Sequence, residues 1–155
     1  LDWLVLSGTV KRCSLVGQIE SPLEAFVNPS SFKIYQADTG LLVSKAGAQR
    51  ADILAGIGGT FMGALTENYV AQQLSAIGYP LHYWARDNRA EIDFVVERQG
   101  CVSAIEVKAG ENTRSRSLSS LKKTHSGVRL IRLSTKPFGM NDGMMSVPLY
   151  AAFCL

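Results

Sequence analysis

The sequence predicts an α/β or α+β domain, in which helices pack on the faces of a β-sheet. Two observations carry this prediction. Short segments rich in β-branched residues alternate with helical apolar patterns, and glycine, proline and polar turns separate them. The predicted order is a helix, three strands in succession, another helix and a further strand, as in a sheet covered by helices. At 155 residues the chain is long enough for one domain with a sizeable core.

Each element follows from local pattern. The predicted strands are residues 9–16, 32–35, 81–84, 92–96, 102–107 and 128–133, and the predicted helices are the segment ending at residue 6, residues 60–77 and residues 115–125. Asp38 or Thr39 is expected to cap a helix. Residues 17–31 are expected to be loop or a short turn, 44–60 a flexible connection and 136–143 a turn. Residues 145–154 are expected to pack on the core as a strand or short helix.

The helix at 60–77 carries an acid in its middle. Gly78 and the following Pro80 end a pattern of apolar residues at three- to four-residue spacing, which are Phe61, Leu65, Tyr69 or Val70, Leu74 and Ile77. Glu67 lies close to this apolar stripe. Periodicity alone favours the solvated edge of the stripe for Glu67 over a place in a site.

The stretch from Ala90 to Ala109 holds a predicted hairpin, with residues 98–100 as its turn. Alternation along the first strand places Glu91 and Asp93 on one face, with Ile92, Phe94 and Val96 on the other. By the same rule Glu106 and Lys108 share a face. Two acids and a lysine, Asp93, Glu106 and Lys108, are thereby expected on one face, in the outline of a metal-and-water site. An ordinary ion-pair cluster gives the same pattern.

Basic residues are concentrated in one part of the chain, although the net charge is only +3. Half of the sixteen basic residues fall in one short segment with a single acid, Glu111: Lys108, Arg114, Arg116, Lys122, Lys123, Arg129, Arg132 and Lys136. Such a segment can contact a polyanion, with nucleic acid the usual candidate. A solvated helix face is the alternative.

Several classes of protein are not favoured by the sequence. No apolar run reaches the ~18 residues of a membrane span, and no signal peptide pattern is present. The chain starts with Leu1 inside an apolar pattern, so we expect a piece of a longer protein.

Three dispersed cysteines favour a reducing cytoplasm, with Cys101 and Cys154 as buried thiols. His82 and His125 are isolated, and each is expected to be structural or exposed. Residues 56–59 lack the ending of a P-loop.

The chain has an acid, a later acid-x-Lys motif on the next predicted strand, and a glutamate on the preceding predicted helix. This pattern resembles that of the PD-(D/E)XK nuclease superfamily. The matching positions are Glu67, Asp93 and Glu106-Val107-Lys108. A wider set of positions is similar to the C-terminal domain, of unknown function, of a prokaryotic family of AAA-type ATPases. These positions are 23, 32–35, 38–42, 67–70, 83–84, 91–94 and 105–108.

The resemblance implies a restriction-endonuclease-like core with a central mixed sheet. It divides the chain into residues 1–43, the remnant of a winged-helix-like region with lead-in strands, and residues 44–155, the nuclease-like domain. An ATPase module is expected to precede both in the same polypeptide. The implied activity is Mg²⁺- or Mn²⁺-dependent hydrolysis of DNA.

The resemblance also implies roles for individual residues. Asp93, Glu106 and the Val107 carbonyl would hold the metal, Lys108 would position water and stabilise charge, and Glu67 would complete the catalytic set. The residues expected to contact DNA are Arg114, Arg116, Lys122 and Lys123. The alternative is a non-cleaving domain that binds DNA or a protein and regulates the ATPase. A third interpretation is self-association as a homo-oligomer through the apolar C-terminal segment.

Overall fold

The computed structural model of the chain describes residues 1–57, 59–86, 90–110 and 116–155. Its helices are α1 (Asp2–Leu6), α2 (Thr39–Lys45), α3 (Arg50–Leu54), α4 (Gly59–Ala76) and α5 (Arg116–Thr124), with short 3₁₀ helices at Leu23–Phe26 and Leu149–Cys154. Its strands are β1 (Val10–Val16), β2 (Val27–Gln36), β3 (Leu81–Arg86), β4 (Ala90–Arg98), β5 (Cys101–Val107), β6 (Arg129–Ser134), β7 (Gly139–Asn141) and β8 (Met144–Pro148).

In the described part of the chain, these eight strands form one mixed sheet in the order β2-β1-β3-β4-β5-β6-β8-β7. The β1–β3, β5–β6 and β6–β8 pairs are parallel, and the others are antiparallel. The predicted sheet with helices is thus confirmed. Strands from both sides of the predicted boundary at residues 43 and 44 belong to this one sheet.

The strand directions bring several chain segments to one end of the sheet. There β1, β3, β5 and β6 finish, and the antiparallel β4 begins. We call this the carboxyl end of the sheet. Asp93 near the start of β4 and Lys108 just after β5 both lie there, because antiparallel neighbours place the start of one strand beside the end of the next.

Two apolar clusters cover the two faces of the sheet, since neighbouring β4 residues Val95 and Val96 belong to different clusters. The first includes α4 and is made of buried residues such as Val70, Leu74, Phe94, Ile105, Ile131 and Leu133. The second includes α5 and is made of residues such as Ile92, Val95, Ala104, Leu118, Leu121 and Leu130. We refer to these as the α4 face and the α5 face.

Local pattern predicted the longest helix, the hairpin and the basic helix close to their observed bounds. The β4–β5 turn uses Gln99 and Gly100, with φ of 52° and 76°. Glycine adopts this region without strain, so only Gly100 is free of the steric cost that a side chain brings. Among the described residues, no helix is both long and apolar enough to cross a membrane.

Three predictions of irregular structure were wrong. Strand β2 begins at Val27, well before the predicted start, because it pairs with β1 over most of its length. Its edge position accommodates Pro29, whose missing N–H would interrupt an inner strand. The predicted connection at 44–60 contains α3 and the start of α4, and the predicted turn at 136–143 contains β7. Strand pairing with distant segments decides such elements, and local composition does not reveal it.

The N-terminus of α2 is capped as expected, since Asp38 Oδ1 accepts a hydrogen bond from the Leu41 N–H at 2.7 Å. We expect Asp38→Ala to lower the free energy of unfolding by about 1 kcal/mol, because that N–H loses its acceptor. Chemical denaturation measures the change. Asp38→Asn keeps an acceptor oxygen and serves as the control. An equal decrease in the free energy of unfolding in both variants would show that the hydrogen bond from Leu41 to Asp38 does not stabilise the protein.

Candidate active site

A β-bulge in β4 sets the position of Asp93. The ladder between β3 and β4 shifts register between His82 and Trp84. Two residues, Asp93 and Phe94, therefore lie together opposite the single residue Tyr83. Bulges bend a strand and redirect its side chains, so Asp93 does not follow the alternation of a regular strand.

This bulge overturns the predicted assignment of faces along β4. Ile92 packs in the cluster on the α5 face, whereas Phe94 packs in the cluster on the α4 face. The prediction that Ile92 and Phe94 share a face is therefore wrong. Glu106 is paired in register with Arg132 and follows Ala104 by two residues, so it lies on the α5 face. Asp93 and Glu106 thus lie on adjacent strands across the bulge, rather than as a regular cross-strand pair on one face.

The carboxylate of Asp93 is tied to β5 by a hydrogen bond. Its Oδ2 accepts from the backbone N–H of Val107 at 2.7 Å. The last ladder pair between the two strands at this end joins Phe94 to Ile105. The Asp93 side chain therefore holds the end of β5 beyond that pair, directly beside Glu106.

Glu106 is a buried acid with one oxygen paired and one unpaired. Only 5% of the residue is exposed. Its Oε1 lies 2.6 Å from Lys108 Nζ, while its Oε2 is buried without a hydrogen-bond partner in the described part of the structure. Lys108 is fixed in turn by its backbone N–H, which donates to the Leu133 carbonyl at 2.8 Å. A buried carboxylate oxygen without a donor is costly, and a bound cation or water would relieve that cost.

Glu67 points into a polar cluster formed with β2, and not to the solvated edge that periodicity favoured. Its Oε1 accepts from Lys33 Nζ at 3.0 Å and also from the hydroxyl of Tyr35. The neighbouring Asn68 accepts from the backbone N–H of Gln36 at 2.8 Å. This contact fixes α4 against β2, which explains the direction of the Glu67 side chain.

Lys33 joins this cluster to the start of β4. Besides Glu67, its ammonium group contacts the carboxylate of Glu91, and it lies 5.1 Å from the centre of the Tyr83 ring. Burial acts to lower the pKa of Lys33, but the hydrogen bonds and charges of Glu91 and Glu67 outweigh it and raise that pKa above its usual range. Lys33 is therefore a fixed positive charge between two acids.

No local signal in the sequence identifies Lys33 and Tyr35 as partners of Glu67, because hydrophobic patterning favours the apolar residues of β2 for the inward face. Along β2, the apolar Phe32 and Ile34 are each 40% exposed, whereas Tyr35 is buried. The inward face of this strand thus carries the polar residues. Alternation separates the two faces of a strand without deciding which is inward, and here the packing of α4 against β2 decides it.

The electrostatics of Asp93 reflect its surroundings. Burial raises the pKa of Asp93, the hydrogen bond from Val107 lowers it, and the charges of Glu67 and Glu106 add to the increase, giving a pKa of about 7. Lys33 opposes this increase only in part. The carboxylates of Glu67 and Glu106 are therefore both close enough to disfavour the charged form of Asp93.

Comparison with known proteins identifies the family. A model of the family described as Domain of unknown function (DUF4143) matches residues 62–152. The chain belongs to this family. The uncharacterized proteins Mb2031c of Mycobacterium bovis and Rv2008c of Mycobacterium tuberculosis are each 34% identical over 124 residues, which cover 75% of this chain and 27% of theirs. The chain thus spans about a quarter of the length of these relatives. No solved structure matches it.

The matched DUF4143 region contains Glu67, Asp93, Glu106 and Lys108. Lys33 and Tyr35 precede it. Strand β2 therefore supplies two polar contacts of Glu67 from outside the matched region, through the sheet that joins it to the DUF4143 core.

A metal site in this DUF4143 domain would use two acids and a main-chain oxygen. Among the described residues, no group of three His, Cys, Asp or Glu side chains is arranged to hold a metal ion. The unpartnered Oε2 of Glu106, the carboxylate of Asp93 and the Val107 carbonyl are oxygen donors of the kind that Mg²⁺ prefers, because Mg²⁺ takes one or two carboxylates and keeps several waters.

The residues expected to contact DNA are described only in part. Arg114 lies outside the described residues, as do the side chains of Arg116 and Lys123. Lys122 donates to the Asp142 carbonyl at 2.7 Å and pairs with the Asp142 carboxylate. Its charge is thus partly neutralised by a neighbouring acid.

The side chains considered from the sequence also include His82 and the cysteines. His82 is buried with Nε2 3.2 Å from Glu24 Oε1, and burial lowers its pKa, so the expected structural role is confirmed. Cys101 and Cys154 are exposed, contrary to prediction. The buried thiol is Cys13, whose pKa burial raises to about 12, which makes it a poor nucleophile.

Proposed function

We propose that this domain is a Mg²⁺- or Mn²⁺-dependent nuclease that hydrolyses DNA phosphodiester bonds. The observation that carries the proposal is the buried Glu106, which holds Lys108 with one oxygen and leaves the other unpartnered, while Asp93 of the adjacent strand binds the next residue, Val107. Buried charge of this kind is costly and is typical of functional sites. The proposed catalytic residues are Glu67, Asp93, Glu106 and Lys108.

Asp93, Glu106 and the Val107 carbonyl are the residues that would hold the metal. When bound, a divalent cation supplies Lewis acidity toward a phosphate oxygen. The protein supplies the arrangement around it. The hydrogen bond from Val107 orients the Asp93 carboxylate, and strand β5 orients the Val107 carbonyl.

Lys108 is the proposed donor toward the phosphate. Glu106 fixes its ammonium group at 2.6 Å, so the positive charge is positioned before substrate binds. A preorganised donor stabilises the negative charge that develops in the transition state more effectively than a mobile one. Glu67 and Lys33 would hold the opposite side of the site through their ion pair.

The remainder of the polypeptide is proposed to carry the AAA-type ATPase module. The matched relatives extend well beyond this domain, because the alignment covers 27% of their length. A nuclease domain within such a protein would act on DNA presented by the ATPase. We place the protein in the cytoplasm, where its three cysteines, free in the structure, would stay reduced.

The test is cleavage by the purified domain. Wild-type protein is expected to cut plasmid or single-stranded DNA in Mg²⁺ or Mn²⁺ and not in EDTA. Asp93→Asn removes a charged ligand of similar shape and is expected to slow cleavage by about 100-fold or more. Circular dichroism checks that the variant remains folded. Wild-type protein that never cuts nucleic acid in either metal, or a fully active folded Asp93→Asn variant, would reject the proposal.

A regulatory domain that binds a protein without cutting is the second candidate. It is favoured by the apolar residues exposed at one edge of the sheet and on the terminal 3₁₀ helix, namely Phe138, Met140, Tyr150 and Phe153. The partner would be the ATPase module or a second copy of the domain. Sedimentation of the isolated domain separates these cases, because only the second copy makes the mass depend on concentration.

A further inference from the structure

A cavity of about 390 Å³ opens at the carboxyl end of the sheet. It lies between the segment that follows β1, the end of β3 and the end of α5. The lining includes Ile19, Glu20, Trp84, Arg86 and His125. Its volume falls in the range of sites that bind small organic groups.

The cavity combines a flat aromatic wall with a cation. Trp84 is half-buried and packs against the cluster on the α5 face, which fixes its ring from one side. Arg86 is exposed at the end of the same strand. An aromatic ring with a nearby guanidinium is the arrangement that proteins use to hold a stacked base with its phosphate.

The cavity and Glu106 of the proposed active site lie on the same face of the sheet. Trp84 is paired in register with Ile92, which packs on the α5 face, where Glu106 also lies. Strand β4 alone separates β3 from β5, so Trp84 and Glu106 are two strand spacings apart, roughly 10 Å. A nucleic acid strand whose phosphate contacts Lys108 therefore has its next bases within reach of the Trp84 ring.

We propose that this cavity is a nucleobase subsite, in which a base of a single-stranded segment stacks on Trp84 and its phosphate contacts Arg86. The base must be unpaired, because the ring lies inside a cavity and a paired base is stacked within its duplex. Glu20, also at the cavity, disfavours a phosphate on its own side, so the phosphate lies toward Arg86. The inference rests on the proposed function, for which it names single-stranded nucleic acid as the substrate.

Tryptophan fluorescence tests the subsite directly. The chain has two tryptophans, and Trp3 is 79% exposed, so Trp3→Phe leaves Trp84 as the reporter. This protein is titrated in EDTA with a single-stranded oligodeoxynucleotide, the same oligonucleotide with abasic sites, and its duplex. The expected result is quenching by the single strand only. Equal quenching by the abasic strand or the duplex would overturn the assignment.

Binding of a labelled single strand, measured by anisotropy, provides the second readout. Trp84→Ala is expected to weaken binding about tenfold or more, and Trp84→Phe to restore most of it, because phenylalanine keeps a stacking surface. Arg86→Ala is expected to reduce the dependence of log K on log salt by about one. If Trp84→Ala does not fold, the comparison of Trp84→Phe with Trp84→Leu replaces it. Unchanged affinity in Trp84→Leu and Arg86→Ala would refute the subsite.

Two further outcomes separate this inference from the proposed function. A protein that binds single strands through Trp84 and never cuts them retains the subsite and loses the nuclease. A protein that cuts DNA while Trp84 makes no contribution retains the nuclease and loses the subsite. Tighter binding of a free nucleoside monophosphate than of the oligonucleotide would overturn the assignment of a polynucleotide ligand.

Discussion

Lys108→Met is expected to lower the free energy of unfolding by about 3 kcal/mol. The substitution keeps a long side chain but leaves the buried carboxylate of Glu106 without its cation, and removing one partner of a buried pair is far more costly than removing both. Breaking a buried pair by removing one partner costs about 3–5 kcal/mol. We expect the lower end of this range because the Lys108 side chain is 29% exposed. Urea denaturation in EDTA measures the loss.

A control variant and a double variant test whether the loss comes from the buried charge of Glu106. Lys122→Met breaks an ion pair whose Asp142 partner is 85% exposed, and it is expected to cost less than about 1 kcal/mol. The double variant Glu106→Gln with Lys108→Met is expected to regain part of the stability, because no carboxylate at position 106 is then left buried without its cation. A loss for Lys108→Met no larger than for Lys122→Met would show that Glu106 is not held as a buried ion.

Phe94→Ala is expected to lower the free energy of unfolding by about 3–5 kcal/mol. Phe94 is fully buried in the cluster on the α4 face, and its ring centre lies 5.5 Å from that of Tyr35. Removing the ring loses apolar burial and leaves a cavity that the sheet cannot fully close. Because Phe94 adjoins Asp93 in the bulge, the substitution also removes packing from the candidate active site. Thermal and urea unfolding measure the effect.

Phe153→Ala is the matched control for this substitution. Phe153 is 56% exposed on the terminal 3₁₀ helix, so the same truncation there is expected to change stability by less than about 1 kcal/mol. Phe94→Leu, which fills part of the space, is expected to fall between the two. Similar losses in Phe94→Ala and Phe153→Ala would contradict the assignment of Phe94 to the core.

At the candidate site, the pairing of Glu106 with Lys108 was predictable from the sequence, and the position of Asp93 was not. The spacing of Asp93, Glu106 and Lys108 can be read directly from the sequence. Strand alternation alone predicts that Glu106 and Lys108 share a face, and their ion pair agrees with this. The position of Asp93 was not predictable in this way. A β-bulge is produced by pairing between β3 and β4, and one extra residue reverses the alternation from which the faces were deduced.

The sequence by itself determined the elements whose signals are local. These are the apolar repeat of α4, the Asp38 cap of α2 and the alternating strands of the hairpin, because each depends on neighbours within a few residues. The tertiary structure alone decided that Lys33 and Tyr35 of β2 bind Glu67 of α4, more than thirty residues away. It also decided the length of β2. Such contacts depend on which strands pair across the sheet, and the free energy of that pairing comes from residues distant in sequence.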